Sequence, residues 1–186
     1  MHDATLQPSP EPLLLTARPT IRYAIDANDR VTAADAALRA LIPAGTPWPI
    51  AGRTAGLLFP TGDVRDLYRG LLACARAGRT VSVVQRFWDT PGQPRFVTEL
   101  SPLPHGGVQF DLFALPAADP RADAEADTDD LLKVCAWCLD INVGRWLAAD
   151  HAINRGGLLD LPRPRAVTHG ICPACLEQVK REDPDY

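Results

Sequence analysis

Two Cys-x-x-Cys turns constrain this chain more than any other feature: Cys135-Ala136-Trp137-Cys138 and Cys172-Pro173-Ala174-Cys175, with 33 residues between them. Each turn points two thiolates at one ion while nearby backbone amides reach the sulfurs, and two turns complete a tetrahedral set. In a reducing compartment such pairs read as metal ligands or redox groups before they read as disulfides. Four thiolates suit zinc, and the same four suit an iron-sulfur cluster, so both stay open on ligand type. Four protein ligands leave no open position for a substrate water, which makes a structural site the expectation. His169, three residues before Cys172, and Trp137, inside the first turn, are expected beside the metal rather than bound to it.

Residues 131–186 therefore form a small four-cysteine module. Val143 to Leu147 is expected to add a strand beside the first turn, and the second turn flows into a helix over Leu176 to Lys180, an organisation like a treble clef or ribbon. So few large apolar side chains cannot easily bury a core alone, and metal binding is expected to supply folding energy. Ahead of the module, residues 116–130 carry six acidic groups, one arginine and no large apolar side chain, the composition of a linker.

The first two thirds read differently. Residues 1–17 contain Pro8, Pro10 and Pro12 and are expected to form an irregular arm. Ile21, Tyr23 and Ile25 alternate, Asn28-Asp29 supplies a turn, and Val31 resumes an extended segment, so a hairpin is expected. Asp35 stands where it can cap a short helix that ends before Pro43. Val64, Leu67, Tyr68, Leu71, Leu72 and Ala75 recur at helical spacing between Asp63, a candidate cap, and Gly78, a candidate stop. Three extended segments follow, Val81 to Phe87, Arg95 to Leu100 and Val108 to Leu115, split by Pro91-Gly92 and Pro104-His105-Gly106-Gly107. Five strands with helices after the second make an α+β domain over residues 18–115.

That order resembles the PAS sensor domain. Local phrases are similar as well: Ile21-Arg22-Tyr23-Ala24-Ile25-Asp26, Gly52-Arg53-Thr54, Leu67 to Leu72, Gly78-Arg79-Thr80-Val81 and Gly106-Gly107-Val108. The resemblance implies a five-stranded antiparallel sheet with inserted helices, a sensed small molecule, redox state or partner, and pairing into a homodimer. No ligand signature is recognised: the Cys-centred flavin motif is missing, and the long helix has no histidine for haem. Cys74 and Tyr68 on that helix read as core residues. The C-terminal third resembles an extension of bacterial PAS-containing and two-component signalling proteins, written CxWC, an intervening Trp, then HGICPxC. The matching residues are Cys135, Trp137, Cys138, Trp146, His169, Gly170, Ile171, Cys172, Pro173 and Cys175, whereas Arg155-Gly156-Gly157 and Pro162 to Arg165 depart from it.

A net charge of -4, and seven basic against seven acidic residues from 131 onward, argue against a nucleic-acid groove. Met1-His2-Asp3 lacks a basic start, and Leu13 to Leu15 is too short an apolar run for a signal peptide or a membrane span, so a cytoplasmic location is expected. Enzyme signatures fail individually. No H-x-E pair precedes Pro173, Leu139 and Leu176 stand where a c-type haem site needs histidine, and no Gly-rich phosphate loop occurs. The leading expectation is a non-enzymatic signalling protein, with a sensor coupled to a zinc-stabilised module and a protein partner. The alternatives are a redox or oxygen sensor using an iron-sulfur cluster or a thiol/disulfide switch, and a zinc-dependent DNA-binding regulator.

Overall fold

A computed structural model describes residues 19–42, 48–58, 62–87, 94–116, 131–161 and 165–182. The expected N-terminal arm and most of the acidic linker lie outside these residues.

The sheet starts from the predicted hairpin. Strand β1 (Ile21–Ile25) pairs antiparallel with β2 (Val31–Ala34). Asp26 closes the turn, its Oδ1 accepting from the backbone N–H groups of Asn28 at 2.8 Å and Arg30 at 2.9 Å, an Asx turn that holds Asp29 at positive φ. A 3-10 segment, Ala36–Leu41, follows Asp35. Asp35 occupies the cap position as expected, but its carboxylate accepts from the backbone N–H of Arg22 instead of the helix. The 51–54 turn joins the edge of β2, with the N–H of Val31 donating to Arg53 O and that of Gly52 to Val31 O. Gly52 holds a φ of +78° there, a conformation that disfavours any side chain.

Helix α1 (Gly62–Arg76) buries Val64, Leu67, Tyr68, Leu71, Leu72 and Ala75, the stripe its spacing predicts. Gly78 ends it at a φ of +88°. The chain then forms β3 (Val81–Arg86), β4 (Arg95–Pro102) and β5 (Val108–Ala114), and the five-stranded antiparallel sheet has the order β2-β1-β5-β4-β3. Cross-strand register sets Tyr23, Phe110, Leu100 and Val81 in one row. All four are buried in the cluster that includes α1, and the Tyr23 and Phe110 rings stack 4.4 Å apart at 9°.

The C-terminal third builds a second sheet, ordered β8-β7-β6-β9. Its strands are β6 (Leu132–Cys135), β7 (Ile141–Asn142), β8 (Trp146–Leu147) and β9 (Val167–Gly170). The strand expected over Val143 to Leu147 is instead a hairpin of two short strands around Gly144, whose φ of +86° turns the chain. Helix α2 (Ala149–Gly156) and helix α3 (Pro173–Glu182) complete this part.

The two sheets share one apolar cluster. Leu132, Val134, Ile141, Ile153 and Leu159 are buried in the same cluster as the first sheet's core, each contributing roughly 1.5–3 kcal/mol on burial. Polar contacts seal the join along β3, an edge strand that would otherwise expose its backbone. Asn154 Nδ2 donates to Ser82 O at 2.7 Å, and the N–H of Arg86 donates to Leu159 O at 2.8 Å. Asp160 lies against Arg86, 6% exposed, and accepts from Arg95 Nε at 2.6 Å; Asp150 accepts from Arg79 at 2.8 Å. Gly70 on α1 faces α2, and a Cβ there would meet Ala149 Cβ at 2.4 Å and the carbonyl oxygen of Leu139 at 3.5 Å.

Candidate metal centre

The parallel pairing of β6 with β9 assembles the cysteines. Cys135, the last residue of β6, lies opposite Gly170, and the N–H of Ala136 donates to Gly170 O at 2.9 Å. That contact fixes the approach of the chain to Cys172. In the first turn Cys135 donates its N–H to Asp140 O at 2.8 Å, and Leu139 donates to Cys135 O at 3.1 Å. Leu139 takes a φ of +63° to close the turn, a costly conformation for a bulky side chain that the surrounding packing holds. In the second turn α3 begins at Pro173, with Leu176 N–H donating to Cys172 O, so Cys175 projects from the first helical turn as expected.

Four sulfurs converge. The Sγ atoms of Cys135, Cys138, Cys172 and Cys175 all lie within 4.8 Å of one another, and Cys138 Sγ is 3.6 Å from Cys172 Sγ. A tetrahedral site with metal–sulfur bonds of about 2.3 Å has a sulfur–sulfur edge of about 3.8 Å. The four cysteines thus fit one ion, and they can bind a metal. Backbone amides support the sulfurs, the N–H of Cys172 donating to Cys135 Sγ and that of Cys175 to Cys172 Sγ, both at 3.4 Å.

The thiols are not alike without the ion. Burial alone would raise Cys135, but the amides of Cys138, Cys172 and Trp137 together outweigh it and hold that thiol at about 6. Burial pushes Cys138 up, and its contacts with the neighbouring sulfurs push it further. Cys175 is raised as well, mainly by its hydrogen bond with Cys172. At neutral pH Cys135 is a thiolate, while Cys138 and Cys175 keep protons that a metal must displace. Higher pH favours the ligating form, so metal affinity rises as pH increases through neutrality, by about 10-fold per pH unit for each proton displaced. Competition against a chromophoric chelator at two pH values reads that slope, and a flat response would mean that all four thiols are already ionised.

Trp137 supports Cys135 through its backbone amide, and the residue is 59% exposed. His169 lies outside the sulfur cluster: its Nε2 is 3.3 Å from Asp66 Oδ2 on α1. Trp146 is half-buried, and His151 and His105 are exposed. Tyr68 is core, whereas half-buried Cys74 has its Sγ 3.6 Å from Asp150 Oδ1. Sequence reasoning missed Gly70 and Leu139, which bring the first cysteine turn onto α1; a helical glycine facing no obvious partner was the one available signal.

Comparison with protein-family models, curated proteins and solved structures finds no match. Among the described residues no helix is long and apolar enough to cross a membrane.

Proposed function

We propose that this chain is a non-enzymatic signalling protein in which a PAS-like sensor domain is coupled to a zinc-stabilised, treble-clef-like interaction module. The observation that carries the reading is the shared core. The four-cysteine part covers the β3 edge and packs on α1, so a route of direct contacts runs from α1 to the metal turns through Leu139 and through the Asp66–His169 approach. The strand order β2-β1-β5-β4-β3, with helical segments between β2 and β3, supports the PAS reading.

Two buried polar side chains support a ligand on the inner face of that sheet. Gln85 and Thr98 are 2% and 0% exposed, and neither Gln85 Nε2 and Oε1 nor Thr98 Oγ1 has a hydrogen-bond partner. Register puts both on the face that carries Val83, Leu100 and Leu112. Leaving such groups unpaired costs about 1–3 kcal/mol each, and a polar small molecule seated there would recover part of it. Replacing the amide should therefore help the ligand-free protein: Gln85→Leu raises stability by about 1–2 kcal/mol in urea unfolding. A loss of stability would mean that the amide is satisfied in solution.

The sulfur separations favour a single ion over a cluster, and zinc suits four thiolates in a closed site. An iron-sulfur cluster interposes sulfide and additional iron between its thiolates and spreads them apart, whereas these sulfurs stand near the edge length of a single-ion site. The redox alternative keeps one observation in its favour, the low thiol of Cys135 beside the exposed Cys138. Metal retained through mild oxidation would remove it. The sensor reading is tested by native mass spectrometry of the full chain together with affinity capture. A small molecule retained by the wild type and lost in Gln85→Leu, with one stoichiometric protein partner, is expected; finding neither would count against the proposal.

A further inference from the structure

Beside the cysteine cluster the surface forms an open recess of about 380 Å³, lined by Trp137, Cys138, Cys175, Gln178 and Glu182. Trp137 is one of only two large hydrophobic side chains exposed among the described residues. Cys138 is exposed and Cys175 half-buried, so the outer sulfurs of the centre face the same opening. Gln178 Nε2 donates to Glu182 Oε1 at 2.9 Å and orients that carboxylate.

The charge of this recess has one sign. Four thiolates around a divalent ion carry a net charge of minus two, and Glu182 adds another negative group. None of the lining residues is basic. The two cations of α3 are engaged with Glu177 instead, Lys180 Nζ lying 3.5 Å from its carboxylate and Arg181 Nε donating to its carbonyl oxygen at 3.2 Å. An exposed indole face next to a cluster of negative acceptors is complementary to a planar cation. A guanidinium stacks on indole while its edge N–H groups donate to carboxylate and thiolate, whereas an ammonium offers a point charge without the stacking plane.

We propose that this recess is a docking site for an arginine side chain presented by a partner protein, stacked on Trp137 and hydrogen-bonded to Glu182 and the outer sulfurs of Cys138 and Cys175. The inference rests on the metal-bound reading of the cysteine centre, because the doubly negative charge belongs to the loaded site.

The test uses the full chain, with metal content measured on the same sample, and a short blocked peptide with one central arginine. The indole N–H signal of Trp137, assigned by loss in Trp137→Phe, is followed by nitrogen-proton correlation spectroscopy. A saturable shift confined to Trp137 is expected, weakened about 10-fold by Glu182→Gln, smaller with a lysine peptide and absent with a citrulline peptide of the same shape. Metal present with no saturable shift, or an equal shift from citrulline, overturns the arginine site and leaves the metal centre standing. A chain that binds no metal overturns both. Concentration-dependent broadening of the Trp137 signal without peptide would place a second copy of the chain in the recess and also overturn the proposal.

Discussion

Stripping the metal, or replacing Cys172 with serine, lowers the melting temperature of the whole chain by at least about 20 °C. Structural zinc sites contribute about 10–16 kcal/mol of apparent folding free energy, as much as the entire stability of an ordinary domain. Cys172 is 2% exposed and accepts the Cys175 amide, so no solvent can replace its role. The loss does not stay local. Without the cysteine turns, β6 and β9 lose the pairing that joins Cys135 to Gly170, and Leu132, Val134, Ile153 and Leu159 lose their cover over the first sheet. Calorimetry of metal-loaded protein should show one transition, and chelator should move all of it. Two transitions, with the upper one indifferent to chelator, would mean that the sheets fold independently.

Gly70→Ala destabilises the chain by about 2 kcal/mol, against the expectation for an isolated helix. In a helix interior alanine is favoured over glycine by about 1 kcal/mol, so the sign of the effect reports docking. The new Cβ would stand 2.4 Å from Ala149 Cβ, a stiff atom at the start of α2, with the Leu139 carbonyl behind it. Overpacking of this kind costs about 1–3 kcal/mol, and a contact this short belongs at the upper end. Ala149→Gly in the same chain should restore most of the loss, a coupling that urea unfolding of the two single variants and the double variant measures. A stabilising Gly70→Ala would show that α1 and α2 are apart in solution.

These contacts mark the limit of what the sequence discloses. The four ligands were legible because thiolate chemistry admits few uses for paired Cys-x-x-Cys turns. The long helix was legible because its apolar stripe has one period. Strand β5 was legible too, since Val108, Phe110 and Leu112 alternate and are all buried. The parallel pairing of β6 with β9 was not, because it joins segments more than thirty residues apart and parallel register leaves no turn signature. Nor was Leu139, a bulky residue at positive φ that local preference argues against. Trp137 stands in the first turn beside the metal site as its place between Cys135 and Cys138 implies, but its exposure is not readable from that spacing. Asp150 and Asp160 carry no local sign of their partners, because Arg79 and Arg95 come from the first domain more than sixty residues away.

The most direct measurement is elemental analysis with an ultraviolet-visible spectrum on protein purified anaerobically without added metal. One zinc per chain and a colourless solution are predicted, since Cys135, Cys138, Cys172 and Cys175 enclose a single-ion site. Iron with sulfide absorption would make the protein a redox or gas sensor, and a chain without metal would contradict the four-cysteine centre itself.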